Sequence, residues 1–154
     1  MNLTYHVNLG ANTFALLMDA WNKVYPKSIN YSKLEDFISE LTQHQDYMHI
    51  LAHQEDELVG WYFDFIREEE RWFGIIVFPG QHKQGIGKML MHEAMNKRAE
   101  LNGWVIPNDQ FLKSDGNPYP SPLKFYKKLG FKAHPEIGFT SPKITTIKIS
   151  WKKF

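Results

Sequence analysis

The residues best suited to chemistry lie in one stretch, His82-Lys83-Gln84-Gly85-Ile86-Gly87-Lys88. Gly85 and Gly87 leave backbone N–H groups uncovered by side chains, and Lys83 and Lys88 add positive charge beside them. At the start of a helix such a loop suits a phosphate, because its orphan N–H groups and the helix dipole both favour an anion. The same glycines also suit an ordinary tight strand-to-helix turn. Two familiar phosphate motifs are excluded. A dinucleotide fingerprint needs a third glycine where Leu90 stands, and a Walker loop needs Gly-Lys-Ser/Thr after a longer spacer. The other reactive residue types are sparser. His49 and His53 fall on one face of a strand, but a zinc site needs three or four convergent ligands and no third is apparent, so no metal is expected. The chain has no cysteine, which removes disulfides, thiolate metal sites and a cysteine nucleophile together.

The elements that must position this loop are legible on either side of it. Trp72 to Phe78 is rich in β-branched and aromatic residues and is stopped by Pro79-Gly80, the pattern of a buried strand. Beyond the loop, Ile86, Leu90, Ala94 and Leu101 fall at helical spacing, Glu93 and Lys97 form an i,i+4 pair, and Asn102-Gly103 supplies a stop. Upstream, Tyr47 to His53, Leu58 to Ile66 and Trp72 to Phe78 read as a three-strand meander with turns at Glu55-Asp56 and at the solvated tip Glu68-Glu69-Glu70.

The remaining segments frame this centre. Leu3, Tyr5, Val7 and Leu9 alternate as in a half-buried strand. Asn12-Thr13 can cap a helix carrying Phe14, Leu17, Met18, Trp21 and Tyr25, and Ser32 to Glu35 forms a capping box for a second helix through Leu41. Trp104 to Ile106 reads as a short strand, and Pro107 to Pro120 as a long polar loop of the kind that often carries function. Ser121-Pro122 opens a helix from Leu123 to Leu129 that ends at Gly130, Phe131 resumes a strand, and Gly138-Phe139 with Ile144 to Trp151 supplies a final pair of strands, in which Ile147, Ile149 and Trp151 share a face.

Composition narrows the partners. The 154 residues, 43% hydrophobic, 15% aromatic and 23% charged, describe one globular domain. A net charge of +1, from 18 basic and 17 acidic residues, provides no global field for nucleic acid or an anionic membrane. Met1-Asn2-Leu3-Thr4 lacks the pattern of a signal peptide, and no run approaches membrane-spanning length. The expectation is a soluble cytoplasmic protein, monomer or homodimer, with a small partner.

Two segments carry a resemblance to a known family. Val77-Phe78-Pro79 followed by His82-Lys83-Gln84-Gly85-Ile86-Gly87 resembles the acetyl-coenzyme A loop of the GNAT superfamily of N-acetyltransferases, written Gln/Arg-x-x-Gly-x-Gly/Ala after a strand ending Val-x-Pro. The opening Gln or Arg is His82 here, with Gln81 one place early. The stretch Tyr126-Lys127-Lys128-Leu129-Gly130-Phe131 is similar to the Tyr-x-x-x-Gly-Phe helix-to-strand signature of the same superfamily. Each motif alone is weak, but both in order across Val77 to Phe131 are fairly specific.

The resemblance implies a single α/β (α+β) domain over residues 1–154, a GNAT-like mixed, mostly antiparallel sheet of six to seven strands with helices on both faces. It implies an acetyl-coenzyme A-dependent N-acetyltransferase acting by direct transfer on a primary amine of a small molecule or peptide. Coenzyme A would be held by Val77, His82, Lys83, Gln84, Gly85, Ile86, Gly87 and Lys88. The family's asparagine seven residues before the signature tyrosine is Tyr119 here, and nearby Asn117 is assigned to the cofactor side in its place. Tyr126 would protonate the departing thiolate, although the segment by itself favours a core tyrosine on a short amphipathic helix. Trp21 and Tyr25 either pack in the core or face the acceptor. The strand glutamate that many members use as a base has no counterpart in Phe73-Gly74-Ile75-Ile76, leaving a water relay, Asp109, Asp64 or a histidine. That gap motivates an alternative, an acyl-coenzyme A binding or sensing module without catalysis.

Overall fold

The computed structural model describes residues 1–82 and 84–154, so the expectation for Lys83 lies outside the described residues. The elements run β1 (Asn2–His6), α1 (Ala11–Val24), a 3₁₀ turn (Lys27–Ile29), α2 (Leu34–Leu41), β2 (Gln45–Gln54), β3 (Glu57–Arg67), β4 (Glu70–Val77), α3 (Ile86–Lys97), β5 (Glu100–Val105), α4 (Leu123–Lys128), β6 (Lys132–Thr140) and β7 (Thr145–Lys152). The seven strands form one sheet ordered β1-β2-β3-β4-β5-β7-β6. Its neighbours are antiparallel except β4 and β5, which are parallel.

The meander follows from two short hairpins. Glu55 and Asp56 have φ of 51° and 67°, and Glu68 and Glu69 have 51° and 66°, so both turns place two consecutive residues in the left-handed region. That is the backbone of a two-residue hairpin loop whose twist matches the flanking strands. Alternation along the strands then sorts the side chains into two cores. On one face Tyr62, Phe73, Leu101 and Ile149 pack against α3 and α4. On the other Leu51, Trp61, Phe63 and Ile76 pack against Phe14 and Leu17 of α1 and Phe37 of α2. The domain is therefore a mixed, mostly antiparallel sheet covered by helices on both faces.

Several boundaries differ from the sequence reading. α3 ends at Lys97, and Leu101, Asn102 and Gly103 belong to β5 rather than to a helix and its stop. Leu101 keeps the helical phase by coincidence and is buried from the strand instead. Gly103 is required by tertiary packing, since a Cβ there would stand 2.8 Å from the Phe73 ring. α1 begins after Gly10, which puts Asn12 and Thr13 inside its first turn. α2 begins after Lys33 with no side-chain cap, and Glu35 and Asp36 complement its dipole. β1 stops at His6, which leaves Val7 exposed beyond it, and within the strand Tyr5 is also exposed and its Oη donates to Glu93 at 2.6 Å.

A buried ionic cluster governs how β4 meets β5. Asp64 is fully buried and accepts from Arg98 Nε at 2.9 Å, Arg98 Nη2 at 3.0 Å, Arg71 Nη1 at 3.0 Å and Tyr62 Oη at 2.7 Å. Arg71 N–H donates to Glu100 at 3.2 Å, and Asn102 Nδ2 donates to Arg71 O at 3.1 Å. These bonds stitch the N-terminal ends of the two strands, which share a single paired position, Trp72 with Asn102. Beyond it the strands separate, so the cluster is the closed end of a V. Removing one partner from such a cluster leaves buried charge uncompensated. Asp64→Asn is therefore expected to destabilise the fold by about 3 to 5 kcal/mol, read as a lower midpoint in urea unfolding.

Candidate functional site

The open end of the V is a cleft of about 1000 Å³. Ile75, Val77 and the start of α3 form one wall, and Val105, Ile106, Tyr119, Phe125 and Tyr126 form the other. Backbone alternation sets what β4 presents to it. Phe78 N–H pairs with Val59 O on β3 at 2.9 Å, so the N–H of Val77, one residue earlier, points to the other edge of the strand, into the split. Ile75 O faces the same way and accepts from Tyr25 Oη at 3.1 Å.

At the mouth, Gly85 is the N-cap of α3 with φ of +77°, a left-handed conformation that favours glycine. The cap makes no side-chain hydrogen bond and the first turn carries no acidic residue. Among the described residues no side chain caps the leading N–H groups of α3, which stand at the positive end of the dipole where an anion is favoured. Gly87 differs from Gly85, since its φ is not positive. A Cβ there would stand 3.4 Å from Phe125 and 3.5 Å from Val77, so its role is to keep the passage between those side chains open.

The other expected residues divide clearly. His82, Ile86 and Lys88 line the cleft, and Ile86 is also buried in the core. Burial, then the charge of Lys113, lowers the pKa of His82. Gln84 is exposed and away from the lining, and so is Asn117, which sits on an outer turn where its N–H donates to Asp115 at 2.9 Å. Tyr119 stands in the cleft in its place. Lys113 also lines it, held by a bridge between Lys113 and Pro26, a pairing across the chain that no local pattern announces.

Tyr126 is delivered by α4, which closes on Gly130 in the left-handed region with φ of +100° and turns back through Phe131 N–H donating to Tyr126 O at 3.1 Å. Its ring lies 5.6 Å from Phe73 and 5.5 Å from Phe131, both roughly edge-on. It is buried, yet its hydroxyl has no partner among the described residues and is not sealed inside the protein. Burial above all, then Tyr25 and Tyr119, pushes its pKa well up. The phenol stays protonated and is a donor.

The residues weighed as bases do not converge here. Asp64 is enclosed in its cluster at the closed end of the V, and Asp109 accepts from Ser121 N–H at 2.7 Å outside the lining. His49 is buried, accepts from Trp61 Nε1 at 3.1 Å, and has its pKa lowered to about 4 by burial and then His6. Among the described residues of the lining, Asp115 is the only carboxylate, and it lies 3.6 Å from Lys113.

A family model described as an acetyltransferase (GNAT) domain matches residues 45–133, from β2 through both walls of the cleft into β6. The chain belongs to the GNAT acetyltransferase family. No curated protein matches it in sequence. Among solved structures, an aminoglycoside 6'-N-acetyltransferase complexed with coenzyme A aligns at a TM-score of 0.71 and 16% identity, over 99% of this chain and 97% of that one. An acyl-CoA N-acyltransferase from Pseudomonas aeruginosa aligns at 0.70 and 15%, over 97% of each chain. A ribosomal-protein-alanine N-acetyltransferase from Brucella melitensis aligns at 0.68 and 10%, over 99% of this chain and 100% of that one. At such identities the likeness establishes the GNAT fold. Acceptors as different as an aminoglycoside and a ribosomal protein share it, so the acceptor is a question for this chain's own cleft.

Proposed function

We propose that this GNAT protein is an acetyl-coenzyme A-dependent N-acetyltransferase that moves acetyl directly to a primary amine of a small molecule or peptide. The observation that carries the reading is the meeting, in one cleft, of an uncapped helix N-terminus at the mouth and a partnerless phenol on the inner wall. The N–H groups after Gly85, with Lys88, bind and orient a diphosphate, and Gly87 leaves a passage for the chain beyond it. Acetyl-coenzyme A supplies an activated acyl group and a thiolate leaving group. Val77 N–H donates to the acyl oxygen as negative charge develops on it, the kind of preorganised donor that stabilises such charge. The amine nitrogen bonds to the acyl carbon as the carbon–sulfur bond breaks. Tyr126 Oη donates its proton toward the sulfur and is reprotonated by the proton that the amine gives up, so charge and protons balance.

Assaying free thiol release from acetyl-coenzyme A across a panel of amines tests this reading, and turnover with at least one is expected. Binding without release from any amine would favour the non-catalytic acyl-coenzyme A module, which the shortage of carboxylates in the cleft supports.

His82 gives a pH-dependent prediction. Its pKa lies below the ordinary value near 6.5 in the free protein. A bound diphosphate favours the protonated ring, so acetyl-coenzyme A affinity should rise as pH falls below about 6.5. His82→Ala should lose that part of the pH dependence, and His82→Arg should tighten binding about two- to fivefold at neutral pH, the scale of a partly exposed ion pair. Calorimetric titrations at two pH values on the three proteins check this.

A further inference from the structure

The long loop between β5 and α4 is tied down at several points. Leu112 O accepts from Lys27 N–H at 2.8 Å, Lys113 bridges to Pro26, and Ser114 Oγ donates to Asn22 O at 2.9 Å. Farther along, the Tyr119 ring stands 5.9 Å from that of Tyr25. The loop therefore leaves the β5 wall of the cleft, docks on the end of α1 and the 3₁₀ turn, and returns to α4. Tyr25 in turn donates to Ile75 O on the β4 wall. Through these contacts the loop straps the two walls together.

The strap carries a lysine into the cleft. A tight turn fixes it, since Lys113 N–H donates to Asn117 O at 2.9 Å and Lys113 O accepts from Gly116 N–H at 3.0 Å. Its side chain is only 25% exposed and lines the cleft, although a lysine ordinarily keeps its ammonium in water. His82 and Lys88 line the same cleft, and the start of α3 adds partial positive charge. The charge of Lys113 reaches His82, where it acts with burial to lower the pKa of the ring. Against this gathering stands Asp115, which lies 3.6 Å from Lys113 and is itself mostly exposed. Like charges collected in one cleft repel each other, and an anion bound among them relieves that repulsion.

We propose that Lys113 is a second anchor for the coenzyme A diphosphate, reaching from the strap to phosphate oxygens that the start of α3 also binds, and exchanging Asp115 for them when acetyl-coenzyme A enters. The proposal rests on the acetyltransferase reading and deepens its cofactor side. A lysine suits the role, because its ammonium is a compact charge on a flexible stem and binds phosphate as a point charge. It also supplies, from the strap, the cation that His82 does not provide at neutral pH.

Calorimetric titration of acetyl-coenzyme A and of its 3′-dephospho form into the wild-type protein, Lys113→Gln, Lys113→Arg and Asp115→Asn tests the proposal. The tethers at Lys113 run through its main chain, so Lys113→Gln should leave the melting temperature of the unliganded protein nearly unchanged. It should weaken both ligands by about tenfold, the scale of a charge-assisted hydrogen bond, and flatten the dependence of affinity on salt. Lys113→Arg should stay near the wild type. Asp115→Asn should bind more tightly, because Lys113 loses its competing partner. Unchanged affinities in Lys113→Gln would overturn the proposal, as would a loss confined to the form that carries the 3′-phosphate, which would move Lys113 to that group. Weaker binding in Asp115→Asn would overturn the exchange. None of these outcomes touches the acetyltransferase reading, which fails instead if the wild-type protein binds neither form.

Discussion

Tyr126→Phe should lower kcat by about 10²- to 10⁴-fold, the usual range for a positioned proton donor, while leaving acetyl-coenzyme A affinity and melting temperature nearly unchanged. The separation follows from the environment of the hydroxyl. Tyr126 packs through its ring against Phe73 and Phe131, contacts that phenylalanine keeps, and its Oη has no protein partner among the described residues. A tyrosine serving only the core would behave in the opposite way, losing roughly 1 kcal/mol of stability with its hydrogen bond and little turnover. Steady-state kinetics and a thermal melt on the same variant distinguish the two. A fully active Tyr126→Phe protein would remove this residue from the mechanism.

Gly87→Val should abolish detectable acetyl-coenzyme A binding in a protein that still folds. The backbone at Gly87 is helical, and a Cβ there would touch Phe125 and Val77 at 3.4 and 3.5 Å, close to ordinary contact. The two further methyls of valine, however, enter the passage between those side chains. Overpacking of that kind costs about 1 to 3 kcal/mol, which at the upper end is more than a hundredfold in affinity. Calorimetry on the variant, with circular dichroism to verify its fold, checks the expectation. Normal binding would show that the ligand does not pass Gly87.

The contrast between the two loop glycines illustrates what the sequence could and could not convey. That Gly85 and Gly87 both mattered was legible, because a strand ending in Pro79 and a helix starting at Ile86 leave a junction between them. Which one answers a backbone need and which a steric need was not, since only Phe125 and Val77, brought together by the fold, separate the roles. The α4 signature was similarly local: Gly130 closes the helix and Phe131 turns the chain back beneath Tyr126, all within six residues. The end of α3 was misread because Leu101 happens to fall in helical phase, and the true constraint on Gly103 is the Phe73 ring from a strand about thirty residues earlier. Asn117 was placed at the cofactor by its nearness to an expected position, but the turn that holds it points outwards and brings Tyr119 inwards. Least legible of all was the opening between β4 and β5. Ile75 and Val77 have the composition of an ordinary buried strand, and only the separation of β4 from β5 beyond Trp72 and Asn102 turns them to a cleft.

That separation is central, because the proposed acetyl-coenzyme A site lies in it. Its most direct test is the melting temperature with and without saturating acetyl-coenzyme A. A ligand that binds only the folded state adds about 2.7 kcal/mol at a hundredfold excess over its dissociation constant, which for a domain of this size is a rise of about 5 to 10 °C. A shift of that order, lost in Gly87→Val, is the predicted result. An unchanged melting temperature at saturating acetyl-coenzyme A would contradict the account.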